Sequence, residues 1–189
     1  MHIVGMDSSH KLMFIGIVIG KWSNIKNCWL EISVRLGLDE IHMYKLKSDL
    51  KKKTLRLLCR YCCGLNLICI KINYPRLRNT ARNIRPRAPK RKIIEIVNTV
   101  VRDTLCRIIE EYSTTHTIIV DRELEEIMSI KDCEPREPIE IADIVAWYNL
   151  RTSNIPKELR RNLKRCITEI DVEHQIVRAL YRKIRTRHI

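Results

Sequence analysis

Short apolar runs alternate with longer amphipathic stretches along this chain, and one such run opens it. The segment from Ile3 to Met6 leads straight into Asp7, which small polar residues follow. This pattern predicts a buried strand that carries a carboxylate to its end. A second apolar run over 12–20 predicts the antiparallel partner in a hairpin. Polar and apolar residues alternate over 28–34, which predicts a third strand with one face in solvent.

The middle of the chain predicts a helix followed by a fourth strand. The helix covers 50–63, with Ser48 and Asp49 as candidate N-cap residues and Gly64 at its end. The strand covers 65–72. Because a helix precedes it, we expect this strand to be reached by a parallel crossover.

The second half of the chain predicts three helices and one more strand. Apolar residues at three-and-four spacing predict a long helix over 93–112, which leads into a fifth strand over 117–120 that ends on Asp121. A charged turn is expected over 122–126. Two prolines, Pro135 and Pro138, precede a helix that carries Asp143. The amphipathic stretch from about 156 to 187 predicts a final helix.

Length and charge narrow the class of protein. The chain has 189 residues, which favours a single domain over 1–189. Its formal net charge of +14 indicates an anionic partner, most often nucleic acid.

The stretch 75–92 holds many of the cations and no acidic residue. We expect a basic loop there, either simply solvated or contacting a nucleic-acid backbone. The candidate contacts are Arg76, Arg78, Arg82, Arg85, Arg87, Lys90 and Arg91.

Other features bear on location. No apolar stretch reaches the roughly 20 residues of a spanning helix, and the opening does not resemble a signal peptide. We therefore expect a soluble, cytoplasmic protein with no membrane partner, as a monomer or a homodimer.

The composition, with much Ile, Lys and Arg and a single Gln, favours a thermophilic source, where intracellular disulfides occur. Most of the eight cysteines are interpreted as core residues. A zinc site remains a weaker alternative for Cys59, Cys62, Cys63 and Cys69.

Three aspartates lie in comparable settings far apart in the chain. Asp7 and Asp121 each follow an apolar strand, and Asp143 lies in an apolar helix. An ionised carboxylate in such a setting is unfavourable unless a cation, a donor or water satisfies it. The three could converge on one site for a divalent metal. For Asp7 and Asp121 the alternative is an ordinary turn-capping residue.

These pieces, in this order, resemble the ribonuclease H-like superfamily. The resemblance is closest to an uncharacterised nuclease-like family whose members begin with a strand ending in Asp-Glu-Ser and finish with a helix containing Ala-Asp. The matching segments are Asp7-Ser8-Ser9, Glu40-Ile41-His42, Val120-Asp121 and Ile141 to Trp147. One departure is Ser8, which stands where the family has glutamate.

The resemblance implies an α/β fold with a mixed five-stranded sheet in the order 3-2-1-4-5, flanked by helices. It also implies metal-dependent hydrolysis of phosphodiester bonds in DNA or RNA, with two Mg²⁺ or Mn²⁺ ions held by Asp7, Asp121 and Asp143. Glu40 is the best candidate for a fourth metal ligand, ahead of Asp39, Asp49 and Glu140.

Two histidines and one alternative function complete the expectations. His42, and with less support His10, are candidate proton carriers near the site. The alternative is a non-catalytic nucleic-acid-binding protein that keeps the scaffold and the basic surface.

Overall fold

The chain forms one five-stranded mixed sheet with helices on both sides. The computed structural model describes residues 2–9, 12–114, 116–130, 135–150 and 155–186. The strands are β1 His2–Ser9, β2 Phe14–Lys21, β3 Asn66–Lys71, β4 His116–Val120 and β5 Ile167–Asp171. The prediction of an α/β protein with a mixed five-stranded sheet is confirmed, and the observed strand order is β4-β1-β2-β3-β5.

Helices pack on both faces of this sheet. They are α1 Trp22–Leu36, α2 Ser48–Tyr61, α3 Tyr74–Ile84, α4 Lys90–Tyr112, α5 Arg122–Met128, α6 Glu137–Leu150, α7 Lys157–Cys166 and α8 Glu173–Thr186. The core beneath α3, α4, α5 and α8 takes Val4 and Met6 from β1. The core beneath α1, α2, α6 and α7 takes Ile3. In the described part of the chain, no helix is both long and apolar enough to cross a membrane.

The pairing around β1 brings two of the aspartates side by side. β1 and β2 form the predicted antiparallel hairpin, in which Asp7 lies opposite Gly16. β4 runs parallel to β1 on the other side, with Val120 beside Met6. The ladder extends one residue further, since the Asp121 N–H donates to the Met6 carbonyl oxygen at 2.9 Å. Asp121 therefore leaves β4 next to Asp7.

The predicted strand order 3-2-1-4-5 is wrong. In that prediction, strand 3 was the segment 28–34, strand 4 was 65–72 and strand 5 was 117–120. β3, the strand expected beside β1, instead pairs antiparallel with β2, so the predicted parallel crossover is wrong as well. β5 extends the sheet at the outer edge, parallel to β3. As a result, β4 lies directly beside β1 rather than one strand further away.

The strand predicted over 28–34 is also wrong, because these residues belong to α1. Ile25, Cys28 and Ile32 are its buried apolar residues, at three-and-four spacing. Leu30 and Val34, which gave the segment its alternating pattern, are exposed. α1 packs against α2 and α6, and these tertiary contacts outweigh the local preference for a strand.

The basic stretch 75–92 is not the expected loop. Most of it lies in α3 and in the first turn of α4. Leu77 and Ala81, four residues apart, are buried and give α3 an apolar side that packs on the core. Pro75 is tolerated because it occupies the first turn, where its missing N–H has no helical partner.

Three smaller predictions also fail. The charged turn over 122–126 is helix α5, whose Leu124 packs into the core. The final helix over 156–187 is divided by β5, because the β-branched run beginning at Ile167 pairs with β3. Ser48 is the first residue of α2 and not its N-cap, and no side chain caps that helix.

The cysteines form two disulfides in the described residues. Cys28 pairs with Cys62 and Cys63 with Cys166, with Cα separations of 5.4 and 4.9 Å. Cys62 is buried, as expected of a core residue. Cys28 lies on α1 and Cys166 lies on α7, whereas Cys62 and Cys63 directly follow α2. Both disulfides therefore join the end of α2 to a neighbouring helix.

Candidate functional site

Close contact between α6 and the sheet places Asp143 over the end of the hairpin. Gly16 makes this possible, because a Cβ there would overlap the Ala142 carbonyl oxygen and lie 2.6 Å from the Ala146 nitrogen. A Cβ at Gly5 would similarly overlap Pro138. The two glycines thus let the helix backbone rest on β1 and β2. Since Asp7 lies opposite Gly16, Asp143 comes close to it.

Asp7, Asp121 and Asp143, which we call the aspartate cluster, influence one another electrostatically. The pKa of Asp7 lies well above the ordinary 3.8, first because of burial and then because of the negative charges of Asp143 and Asp121. Burial also raises the pKa of Asp143 to about 6. Asp121 and Asp143 therefore lie within electrostatic reach of Asp7, and this proximity costs electrostatic energy.

Each carboxylate of the aspartate cluster accepts one hydrogen bond from a backbone N–H. Asp7 Oδ1 accepts from its neighbour Ser8 at 2.6 Å. Asp121 Oδ2 accepts from Glu123 at 3.3 Å and caps α5, so its turn-capping role is real. Asp143 Oδ2 accepts from Met43 at 2.7 Å. The second oxygen of each carboxylate has no hydrogen-bond partner within the described ranges.

Asp143 and Glu140, one turn apart on α6, together hold residues 41–43. Glu140 is buried, and its Oε2 accepts from the Ile41 N–H at 2.8 Å and from the Trp29 indole N–H at 2.6 Å. Burial raises the pKa of Glu140 despite these donors. The carboxylate of Glu140 thus makes structural hydrogen bonds, whereas the carboxylate of Asp143 both makes such a bond and belongs to the aspartate cluster.

Glu40 and His42 lie beside the hydrogen bonds by which Glu140 and Asp143 hold residues 41–43. Glu40 pairs with Arg136 at 2.8 Å, and its other carboxylate oxygen is 3.4 Å from His42 Nε2. His42 lowers the pKa of Asp143 through its charge, which places it within electrostatic reach of the aspartate cluster. The expected fourth ligand therefore interacts with His42 and Arg136, one step removed from the three aspartates. His10 lies outside the described residues.

Glu123 is the acidic neighbour that the sequence did not single out. It lies in the first turn of α5, where the sequence predicted only a charged turn. Its Oε2 accepts from the Ser8 hydroxyl at 2.8 Å, and its charge contributes to the raised pKa of Asp7. The available signal was its position two residues after Asp121, which returns its side chain toward the strand ends.

The candidate basic residues of 75–92 divide into three groups. Arg78, Arg82 and Lys90 line a cavity of about 670 Å³ between α3 and the start of α4. Arg76 instead pairs with Glu173 of α8 at 2.9 Å. The remaining candidates, Arg85, Arg87 and Arg91, are not among the residues lining the cavity.

The donor set of the aspartate cluster suits a hard divalent cation. Carboxylate oxygens are the ligands that Mg²⁺ and Mn²⁺ prefer, and three of them have no partner among the described residues. Nevertheless, in that part of the chain no group of three or more His, Cys, Asp and Glu side chains is already arranged to hold an ion. Binding would require the carboxylates to turn toward a common point.

Comparison of the chain with protein-family models, with curated proteins and with solved structures finds no match.

Proposed function

We propose that this protein is a Mg²⁺- or Mn²⁺-dependent nuclease that hydrolyses phosphodiester bonds of DNA or RNA. The observation that supports it best is the aspartate cluster, in which burial and two like charges raise the pKa of Asp7. Strongly perturbed titratable groups close together are typical of functional sites. The net charge of +14 gives the surrounding surface the sign that attracts a polyanion.

The proposed roles follow from the free carboxylate oxygens. Asp7 Oδ2, Asp121 Oδ1 and Asp143 Oδ1 would hold the cations, which when bound supply the charge that activates a water and stabilises the leaving oxygen. Asp7, whose pKa both other aspartates raise, would be a ligand in this set. Glu140 and Asp143 position residues 41–43, and His42 Nε2 would carry a proton at the edge of the site.

The scaffold and location are part of the proposal. The antiparallel β1–β2–β3 arrangement with β4 parallel to β1 is compatible with a ribonuclease H-like fold. We place the protein in the cytoplasm. Two disulfides are unusual there except in thermophiles, so this location goes together with the proposed thermophilic source.

The test is cleavage of end-labelled single- and double-stranded DNA and RNA with Mg²⁺ or Mn²⁺. We expect wild type to cut at least one substrate, and both EDTA and Asp7→Asn to abolish cutting. The matched control is Asp103→Asn, which removes an exposed carboxylate on α4 paired with Lys183 at 3.4 Å and should leave the rate unchanged. Equal cutting by Asp7→Asn, confirmed as folded by circular dichroism, would overturn the assignment.

A non-catalytic nucleic-acid-binding protein is the second candidate. It is favoured by the lack, in the described ranges, of a preformed group of three metal-binding side chains and by the hydrogen bonds that Asp121 and Asp143 already make. Tight binding of the same substrates without any cutting would select this alternative.

A further inference from the structure

A cavity lies beside the aspartate cluster, and its walls combine positive charge with apolar surface. Its volume of about 670 Å³ is within the range of small-molecule sites. It lies between α3 and α4 at the end of the sheet where the β1–β2 hairpin turns, and Leu12 of that turn contributes to its lining.

The positive charge comes from two different helices. Arg78 and Arg82 lie one turn apart on α3, and Lys90 is the first residue of α4. No ion pair occupies any of the three within the described residues, in contrast to Arg76 and its Glu173 partner. Three cations that converge on one cavity repel each other, and an anionic ligand would relieve that repulsion.

The apolar part of the lining is held in place by hydrogen bonds. Leu12, Ile93 and Ile94 provide apolar surface in the cavity. The Tyr74 N–H donates to the Leu12 carbonyl oxygen at 3.1 Å, and the buried Tyr74 hydroxyl donates to Asn98 Oδ1. This surface is therefore preformed. Inorganic phosphate would leave it uncovered, whereas a nucleotide carries both a phosphate and a flat, weakly polar base.

Glu123 connects the cavity to the aspartate cluster. It lines the cavity, accepts the Ser8 hydroxyl at 2.8 Å, and donates its N–H to Asp121 at 3.3 Å. Its negative charge repels a phosphate from that end, so a bound phosphate lies toward the arginines. Because Glu123 contacts both Ser8 and Asp121, the end of the cavity that it lines adjoins the aspartate cluster.

We propose that this cavity binds one nucleotide of the nucleic-acid strand, with Arg78, Arg82 and Lys90 holding its phosphate and the apolar surface contacting its base. The inference rests on the proposed function, since it names the position of the strand next to the scissile bond. A free mononucleotide offers the same chemistry, and the test distinguishes the two.

The experiment measures binding of a fluorescently labelled single-stranded oligonucleotide to the full chain by anisotropy, in EDTA, so that no cutting occurs. The variant Arg78→Gln/Arg82→Gln is compared with Arg161→Gln/Lys164→Gln, which removes the same charge from exposed positions on α7 beneath the other face of the sheet. Competitors are a nucleoside monophosphate, inorganic phosphate and the same oligonucleotide with abasic sites. Thermal melting verifies that each variant is folded.

We expect the α3 variant to bind about tenfold or more weakly, because two charge-assisted contacts are lost. Its dependence of log affinity on log salt should become shallower by at most about 0.7, since the two arginines hold one phosphate and each phosphate contact on a single strand contributes about 0.7. The abasic strand should bind more weakly than the intact one. The α7 variant should remain close to wild type.

Equal losses in both variants would overturn the proposal in favour of general attraction by the net charge. Equal binding of intact and abasic strands would show that the base does not contact the cavity, and would refute the proposal as well. Competition by the monophosphate as strong as by the strand would identify a free nucleotide as the ligand instead. If wild type cuts while the α3 variant binds normally, this inference fails and the nuclease stands. If the α3 variant loses binding but wild type cuts no substrate, the proposal that the cavity binds a nucleotide is supported and the proposal of a nuclease is refuted.

Discussion

Replacing Asp143 with asparagine is expected to stabilise the folded protein above neutral pH. The pKa of Asp143 is about 6 instead of the ordinary 3.8, mainly because burial disfavours its charge and also because Asp121 and Glu140 repel it. A folded-state pKa above the unfolded value means that the native state holds the proton more tightly. Stability is therefore lost as the pH rises through about 6. The separation of the two pKa values corresponds to about 3 kcal/mol.

Asparagine is a good probe because its amide oxygen can still accept the Met43 N–H. Urea unfolding in EDTA should show Asp143→Asn to be more stable than wild type by about 2–3 kcal/mol near pH 8, with the difference fading toward about pH 4. Asp103→Asn, at an exposed ion pair on α4, is the control and should show no such trend. If Asp143→Asn is less stable at every pH, the carboxylate is a structural anchor and the reasoning from its pKa is refuted.

Three further substitutions test the packing and bonding around the site. Gly16→Ala should lower the free energy of unfolding by about 3 kcal/mol or prevent folding, because its Cβ would overlap the α6 backbone, whereas Gly64→Ala meets nothing within 4 Å; urea unfolding of the pair checks this. Trp29→Phe should cost about 1–3 kcal/mol in the same assay, since buried Glu140 loses a donor, and an unchanged midpoint would contradict that bond. Cys166→Ser opens a bridge between residues 103 apart in sequence and should cost about 2–4 kcal/mol, a difference that a reducing agent should erase.

Local patterns in the sequence were sufficient where burial and periodicity agree. The opening hairpin, the long helix α4 and strand β4 follow directly from their apolar residues. The convergence of Asp7 with Asp121 was also predictable, because both follow apolar strands. The structure brings them closer than the predicted strand order would, since β4 pairs directly with β1.

The predictions fail where two periodicities coexist in one segment. In α1, Cys28 and Ile32 fit both a strand and a helix, and only packing against α2 and α6 decides between them. The basic stretch 75–92 seemed too polar to fold, yet Leu77 and Ala81 are enough to seat α3 on the core. Glu123 was overlooked because the segment after Asp121 was interpreted as a charged turn, although an aspartate followed by acidic residues also fits the start of a helix.

The charges of the aspartate cluster are unnecessary for the hydrogen bonds that its members make. Asp7 and Asp143 each use one oxygen to accept a backbone N–H, and an asparagine amide oxygen could accept the same bond. Their negative charges add repulsion and burial energy, which is why both pKa values are raised. A fold that needed only the hydrogen bonds would be more stable with neutral side chains at these positions. The proposed divalent cation would offset this repulsion, and added Mg²⁺ or Mn²⁺ should therefore raise the stability of wild type but not of Asp7→Asn.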